Sequence, residues 1–445
     1  MDASMTVICY FVYFLFLFNF TDAFRKDIFS TKTAYKFSAD VQLSSVENQF
    51  MKAELNGKSC SAVNFQVLLR HGARYPGYKD IRKMSQLHEM LKIIVKSPEA
   101  NFIHTWKNDF PEVMEKQLVD EGEEEQFGLG ERFGKNFKDL FHGSVDSVDF
   151  YSSSKERCLD SAAAFYEGLT EAVIGESFDN LKPIIDDDIL RFHATCKNYF
   201  HHVENNRSHL IHHKKFKTSS EMETVARNVA NRLGVEHAEL DAGDLKLIYF
   251  WCTFEMIILN KDDWCYLLSD EDKEVIEYHN DIKQYWKKAY GHPVIGEMAC
   301  PIVNKIFNNF KSAIDPETRD SVGAFYFGHC ETLAPVYAAL GLFNDSLPLT
   351  DTNFELLRNR SFKSSKILPF SANIATVLYE CPDYAEDGSH SDDFVVRMFV
   401  NEKPVVIPAC DEYVCRFDDV WNFYLNHIES CNIEKVCGAK IRDEL

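Results

Sequence analysis

The chain has 445 residues, with 48 Lys and Arg against 69 Asp and Glu, and a formal net charge of −21. So acidic a balance excludes a general binder of nucleic acid or anionic membranes, while leaving room for one local basic pocket. With 45% hydrophobic residues, 13% aromatic residues and only 19 Gly and 13 Pro, wholesale disorder and fibrous architecture are excluded, and the length fits two or three domain-sized units or one large core with an insertion.

In chain order, Met5–Phe20 is an unbroken run of mostly apolar residues, too short for a membrane span and of the length of a signal-peptide core. Thr21 and Ala23 suit a cleavage site, so residues 1–23 are expected to be removed, the alternative being an uncleaved anchor. No other segment is apolar enough to cross a bilayer. Val63–Arg70 alternates and then runs apolar, as a buried strand does, and ends in the loop His71–Gly77. A helix is expected through Ile81, Met84, Leu87, Leu91 and Ile94. A second strand, Val148–Ser152, precedes helical spacing through Leu159, Ala163, Tyr166, Leu169 and Val173. From 180 to 315 the signals are mostly helical, clearest at Val275, Tyr278, Ile282, Tyr285 and Ala289. Strand-then-helix returns at Val322–Gly328 and Glu331–Leu340, with Gly341 as the helix stop. A hairpin of Val395–Val400 and Val405–Ile407, turning at Asn401-Glu402-Lys403, follows. Strands at both ends around a helical middle predict an α/β core (24–179 and 316–441) with a helical cap inserted at 180–315.

Of 13 Cys, Cys9 lies in the expected leader, and the remaining twelve suit an oxidising compartment. Cys252 with Cys265, Cys410 with Cys415, and Cys431 with Cys437 are close enough in sequence for local bridges, though spacing proves no pairing. Asn206, Asn344 and Asn359 begin glycosylation sequons. The final residues Arg442-Asp443-Glu444-Leu445 resemble the Lys-Asp-Glu-Leu retrieval signal, which implies an endoplasmic-reticulum retrieval receptor as partner and a lumenal location with partial secretion.

The strongest chemical signal is Arg70-His71-Gly72-Ala73-Arg74-Tyr75-Pro76 at the end of the first strand. Two guanidiniums there can fork onto one phosphate. Their charge penalises an imidazolium, which keeps His71 neutral and nucleophilic, and Gly72 lets backbone approach an anion closely. Ligands in such folds bind beyond the carboxyl ends of the strands.

This loop resembles the Arg-His-Gly-x-Arg-x-Pro signature of the histidine acid phosphatases. Ser152–Cys158, with Arg157, is similar to that family's second-arginine segment. Gly328-His329-Cys330-Glu331-Thr332-Leu333 resembles its later histidine motif, in the His-Ala-Glu form of the multiple inositol polyphosphate phosphatases, with Cys330 where that subgroup usually has Ala. Asp281–Trp286, Pro348-Leu349-Thr350 and the C-terminal tail also look like that subgroup. The resemblance implies a histidine-phosphatase-like α/β fold and a two-step hydrolysis that needs no metal and no cofactor. His71 would be the nucleophile, Arg70, Arg74, Arg157 and His329 the phosphate ligands, and Glu331 the acid and then the base. The implied substrate is an inositol polyphosphate, including the hexakisphosphate. A broad acid phosphatase or phosphoglycerate phosphatase is the alternative within the class, and an inactive phosphate-binding protein on the same fold the alternative outside it.

Lys79, Arg82 and Lys83, three and four residues apart just after the loop, are candidates for contacts to neighbouring phosphates, or else form a solvated helix face. A second basic cluster, His212–Lys217, is a candidate pocket wall. Adjacent histidines at 201–202 and 212–213 diverge and complete no metal-ligand spacing. Asp120–Glu125 reads as an exposed acidic helix start.

Overall fold

The computed structural model describes residues 25–38, 50–315, 317–318, 321–384 and 390–438, so the expected leader 1–23 and tail 442–445 lie outside the described residues. Within them one mixed sheet forms from β1 (Lys52–Leu55), β2 (Lys58–Arg70), β3 (Val148–Ser152), β4 (Ile184–Ile185), β5 (Gly323–Gly328), β6 (Asn373–Tyr384), β7 (His390–Val400), β8 (Lys403–Val405) and β9 (Cys415–Arg416). The order is β4-β3-β5-β2-β6-β7-β8, with β1 beside β2 and β9 beside β7. The pairs β4–β3, β3–β5 and β5–β2 are parallel, and those from β2 through β8 are antiparallel.

Helices cover both faces of the sheet. Phe65, Val67 and Leu69 of β2 pack with Phe325 and Phe327 of β5 against α2 (Asp120–Asn136) and α3 (Glu156–Ile174). Leu68 and Tyr326 face the opposite cluster, which runs without a break into the helical stretch between β4 and β5. A strand buried on both faces reads as a near-continuous apolar run, which is why VNFQVLLR is legible in the sequence. The expected borders at 180 and 315 are not breaks in packing. β4 joins the sheet edge, and Asn309, on α6 (Cys300–Ile314), donates to Gln66 of β2 at 2.9 Å.

The other helices used below are α1 (Tyr78–Ile94), α4 (Ala242–Phe254), α5 (Asp270–Lys288) and α7 (Cys330–Ala339). Three local readings need correction. The buried face of α3 runs through Cys158, Ala162, Phe165, Leu169 and Val173, leaving Ala163 and Tyr166 half-buried. The hairpin turns on Asn401 and Glu402 alone, both at positive φ (48° and 63°), so Lys403 already belongs to β8. Its strand β7 pairs along its length with β6, which the sequence reading passed over although β6 is the antiparallel neighbour of β2.

Disulfides join Cys252 to Cys265 and Cys410 to Cys415. Cys431 and Cys437 do not pair with each other. Cys431 bonds Cys300 and Cys437 bonds Cys196, because the C-terminal segment returns to pack on α6 and on the helical stretch. Cys60 bonds Cys381, tying β2 to β6. Cys158 and Cys330 are free and buried. Asn206, Asn344 and Asn359 are all exposed.

The α2–α3 crossing is unusually close because glycines line it. A Cβ on Gly130 would strike the Phe165 carbonyl, and one on Gly168 the Phe127 carbonyl. Helix propensity alone favours Gly130→Ala by about 1 kcal/mol, whereas overpacking a tight interface costs roughly 1–3 kcal/mol. Urea denaturation should therefore show a lower midpoint for Gly130→Ala. A raised midpoint would mean that the two helices can move apart freely.

Candidate active site

Parallel pairing aligns Arg70 of β2 with Gly328 of β5, and Ser152 of β3 with Phe327 of β5. The carboxyl ends of these strands thus release the loop His71–Gly77, the segment Ser153–Arg157 and His329 at one edge. β5 lies between β3 and β2, so the chain departs to both sides here, the crevice where open α/β sheets bind ligands.

Arg70 is 1% exposed. Its Nη1 donates to the carbonyls of Thr31 (2.9 Å) and Leu368 (2.7 Å), and its guanidinium lies over the Phe370 ring. His71 Nδ1 is 2.9 Å from the Gly72 carbonyl, an acceptor only, so Nδ1 carries the proton and Nε2 the lone pair. Burial, then the charges of Arg70, Arg157 and Arg74 with a contribution from His329, hold the imidazole well below its ordinary value. Burial and the three arginines thus both favour the neutral imidazole.

Arg157, in the first turn of α3, donates through Nη2 to His329 Nδ1 at 3.2 Å. An arginine cannot accept, so His329 offers Nδ1 as a lone pair and Nε2–H to Ser153 Oγ at 3.0 Å. Burial and Arg157 push His329 down to about 3, which keeps it in this neutral tautomer. In this arrangement His329 orients Arg157. Ser161 ties the same helix to the loop, donating to the Arg157 carbonyl and accepting from Gly72 N–H. Arg74 donates to the Tyr75 carbonyl, and burial together with Arg157 and Arg70 lowers it to about 10. Among the described residues, the buried Nε donors of Arg70 and Arg157 meet no acceptor. Three guanidiniums in mutual electrostatic contact with unspent donors make a site for a compact anion.

Glu331, in the first turn of α7, accepts from Lys288 Nζ at 2.9 Å and from Cys330 Sγ at 3.1 Å. Burial pushes its carboxyl up, but Lys288, His193 and His329 more than offset this and hold it well below the usual carboxylate range.

The sequence-predicted outer cations separate. Lys79, Arg82 and Lys83 are all exposed on α1, and Arg82 is engaged by Glu112 at 2.8 Å. Lys83 alone lines a cavity of about 560 Å³, with Asp80, His213, Lys217, Lys246 and His279. That cavity does not include His71. It approaches the site through Lys246, which lies within electrostatic reach of Lys288. In the second basic cluster, His212 pairs with Asp351 and His213 stacks on His279 at 4.1 Å between ring centroids.

Sequence reasoning missed Lys32, Lys288 and Glu125. Lys32 comes from the N-terminal segment, lies in the field of Arg74, Arg70 and Lys288, and is held well below its ordinary value by burial and those charges. Lys288 ends the periodic helix already recognised in the sequence, so only its distance from the motif hid it. Glu125 corrects the reading of 120–125 as an exposed acidic start. Asp120, Glu123 and Glu124 are exposed, but Glu125 is buried under the catalytic loop and accepts from Ala73 N, Tyr35 N and Ser371 Oγ. The neighbouring Gln126 donates to the Arg70 carbonyl.

Comparison with known proteins agrees with this geometry. Residues 64–401 match the family model described as histidine phosphatase superfamily, branch 2. The chain is 32% identical over 434 residues to multiple inositol polyphosphate phosphatase 1 of Homo sapiens, covering 92% of this chain and 88% of that protein. The Gallus gallus protein of the same name is 32% identical over 400 residues, covering 87% and 88%. The crystal structure of Bifidobacterium longum multiple inositol polyphosphate phosphatase in complex with phosphate superposes with a TM-score of 0.73 at 16% identity, over 90% of this chain and 98% of that one, which shows a shared fold.

Glu125 offers a test of the support beneath the loop. Burial raises it to about 7, against the three hydrogen bonds it accepts. A carboxyl whose folded value is raised binds more protons when native than when unfolded. Its contribution is fully present below the unfolded value near 4.5 and is lost as pH rises through 7. The stability gap between wild type and Glu125→Gln should therefore be largest near pH 4.5 and narrow toward neutrality. A gap that widens with pH would show that the three donors keep Glu125 ionised.

Proposed function

This chain belongs to branch 2 of the histidine phosphatase superfamily, and from that membership and the site we propose that it hydrolyses phosphomonoesters of inositol polyphosphates through a phosphohistidine at His71. The observation that carries this reading is a His71 with Nδ1 on the Gly72 carbonyl, held in its neutral form within the field of buried Arg70 and half-buried Arg74 and Arg157. Arg70, Arg74 and Arg157 hold the equatorial oxygens of the phosphoryl group, where transition-state charge spreads. His71 Nε2 forms a bond to phosphorus as the ester P–O bond breaks, and Glu331 gives its proton to the departing alkoxide. Water then attacks the phosphohistidine, Glu331 takes the water's proton, and cleavage of the N–P bond releases phosphate and restores His71.

The preference for polyphosphates follows from charge beyond the clamp. Lys32, Lys246, Lys283 and Lys288 crowd together, each in the field of at least one other. Against a net charge of −21, such a cluster is a local funnel for a polyanion. Lys83 and the 560 Å³ cavity extend it outward. Arg82, engaged by Glu112, contributes less.

Three disulfides join segments more than a hundred residues apart, which suits an oxidising lumen. We propose that residues 1–23 direct the chain there and that residues 442–445 return it to the endoplasmic reticulum by a retrieval receptor. Among the described residues no helix is long and apolar enough to cross a membrane. Deleting residues 442–445 should shift most of the protein into the medium with specific activity unchanged. Equal secretion of intact and shortened chains would show that the tail is inert.

Phosphate release from inositol hexakisphosphate, in the presence of chelator, tests the function directly. His71→Ala should abolish it with folding intact, and activity within about tenfold of wild type would remove His71 as nucleophile. Glu331→Gln should lower the rate by about 10² to 10⁴, the usual contribution of a general acid. The loss should shrink for an aryl phosphate, whose leaving group needs little protonation. An equal loss on both substrates would assign Glu331 to structure or binding.

A further inference from the structure

The proton donor proposed above cannot donate as it stands. Both Glu331 oxygens are engaged, Oε1 by Lys288 and Oε2 by Cys330, and Lys288 also reaches Cys330 Sγ at 3.4 Å. Among the described residues, the other groups shown in electrostatic contact with Glu331 are cations or rings. They are Arg70 and Arg74 from the catalytic loop, His193 from the segment after β4, His329 before α7, and Tyr199 from the helical stretch. The cations Arg70 and Arg74, with Lys288, favour the carboxylate. The free site is thus set for the second half of the reaction, in which Glu331 acts as a base, and not for the first.

We infer that Lys288 is a substrate-operated switch for the acid: a phosphate next to the scissile one draws its ammonium off Glu331, which then takes up a proton from solvent. The inference rests on the phosphatase reading above. Its basis is the 2.9 Å contact of Lys288, at the end of α5, with Glu331, and the presence of Lys32, Lys246 and Lys283 within electrostatic reach of the same ammonium. Those cations mark where non-scissile phosphates are attracted. A phosphate monoester carries a charge of about −1.5 to −2 near neutrality, so it outcompetes a singly charged carboxylate for one ammonium. The flexible lysine stem permits the swing, which a planar, forked guanidinium would resist. Once Lys288 turns away, the same phosphate places negative charge near Glu331 and favours its protonated form. A substrate with a single phosphate fills the arginine clamp and leaves the Lys288–Glu331 pair closed. Polyphosphate preference then resides in kcat as well as in KM, with Lys288 as a positioning residue that acts through Glu331.

The test compares wild type, Lys288→Met and Lys288→Arg on inositol hexakisphosphate and on glycerol 2-phosphate, an alkyl ester with one phosphate. In Lys288→Met the acid is released without a trigger. Its kcat on glycerol 2-phosphate should rise about tenfold, with the alkaline limb of the pH profile moved to higher pH, while KM for the hexakisphosphate increases. Lys288→Arg should hold the pair closed and lower kcat on the hexakisphosphate. Equal losses of kcat on both substrates in Lys288→Met, with unmoved pH limbs, would overturn the switch. A second measurement needs no change at Lys288. Calorimetry of inositol hexakisphosphate binding to the inert His71→Ala protein, in buffers of different ionisation enthalpy, should show it taking up about one proton more than His71→Ala/Glu331→Gln. Equal uptake by both would overturn the switch even if Lys288→Met does not fold. Failure of the wild type to release phosphate from the hexakisphosphate would instead overturn the phosphatase reading on which the switch rests.

Discussion

Arg70 is a cation removed almost wholly from water, and much of the fold exists to hold it. Stripping a charge of its hydration costs several kcal/mol unless other dipoles replace the water. Here the replacements are two carbonyls, from the N-terminal segment and from the loop before β6, and the face of Phe370. Among the described residues no carboxylate is bonded to its guanidinium, so its charge stays available to an anion. Placing Arg74 and Arg157 nearby adds like-charge repulsion that only a rigid surround can resist. That repulsion is relieved when a phosphoryl group enters, so the free site is a preorganised field rather than a relaxed one.

The rigidity comes from several parts of the chain. Ser161 and Gly72 join α3 to the loop, and Glu125 and Gln126 of α2 hold it from below. Gly72 and Gly122 meet backbone to backbone, leaving no room for a side chain on either. The N-terminal segment acts as a strap across both layers. Tyr35 N–H and hydroxyl bond Glu125 and Glu402, Ser30 bonds Ser364, and Arg25 reaches Glu274 of α5. Lys32 therefore enters the site from a segment fixed at either side of it.

The meeting of the three motifs at one edge was legible because each motif is local. The loop after β2, Arg157 and the histidine motif each sit at a strand end that alternation or an apolar run reveals, and parallel pairing brings them together. What escaped was long-range. β6 has a strand's composition, but nothing local says that it lies against β2. Pairings of Cys431 and Cys437 depend on where distant segments fold back, so sequence proximity misled. Glu125 looked like its exposed neighbours because helical position, not residue type, decides which carboxylate turns inward. The neutrality of His71 was anticipated from its arginines, yet burial is the larger cause, and burial cannot be read from neighbours in sequence. Lys32 and Lys288 belong to the site through tertiary placement alone.

The bond between Cys60 and Cys381 has a consequence for how the molecule is made. Its partners are 321 residues apart, and the strands flanking β2 begin at Gly323 and Asn373. At translation rates of about 5–20 residues per second, β2 waits on the order of half a minute for either neighbour. During that interval the apolar stretch of β2 beyond its short pairing with β1 stands unpaired in the nascent chain, the kind of surface that invites aggregation. The core of the sheet can therefore close only after β5 and β6 have been made, and the Cys60–Cys381 bond only once the carboxyl-terminal third has arrived.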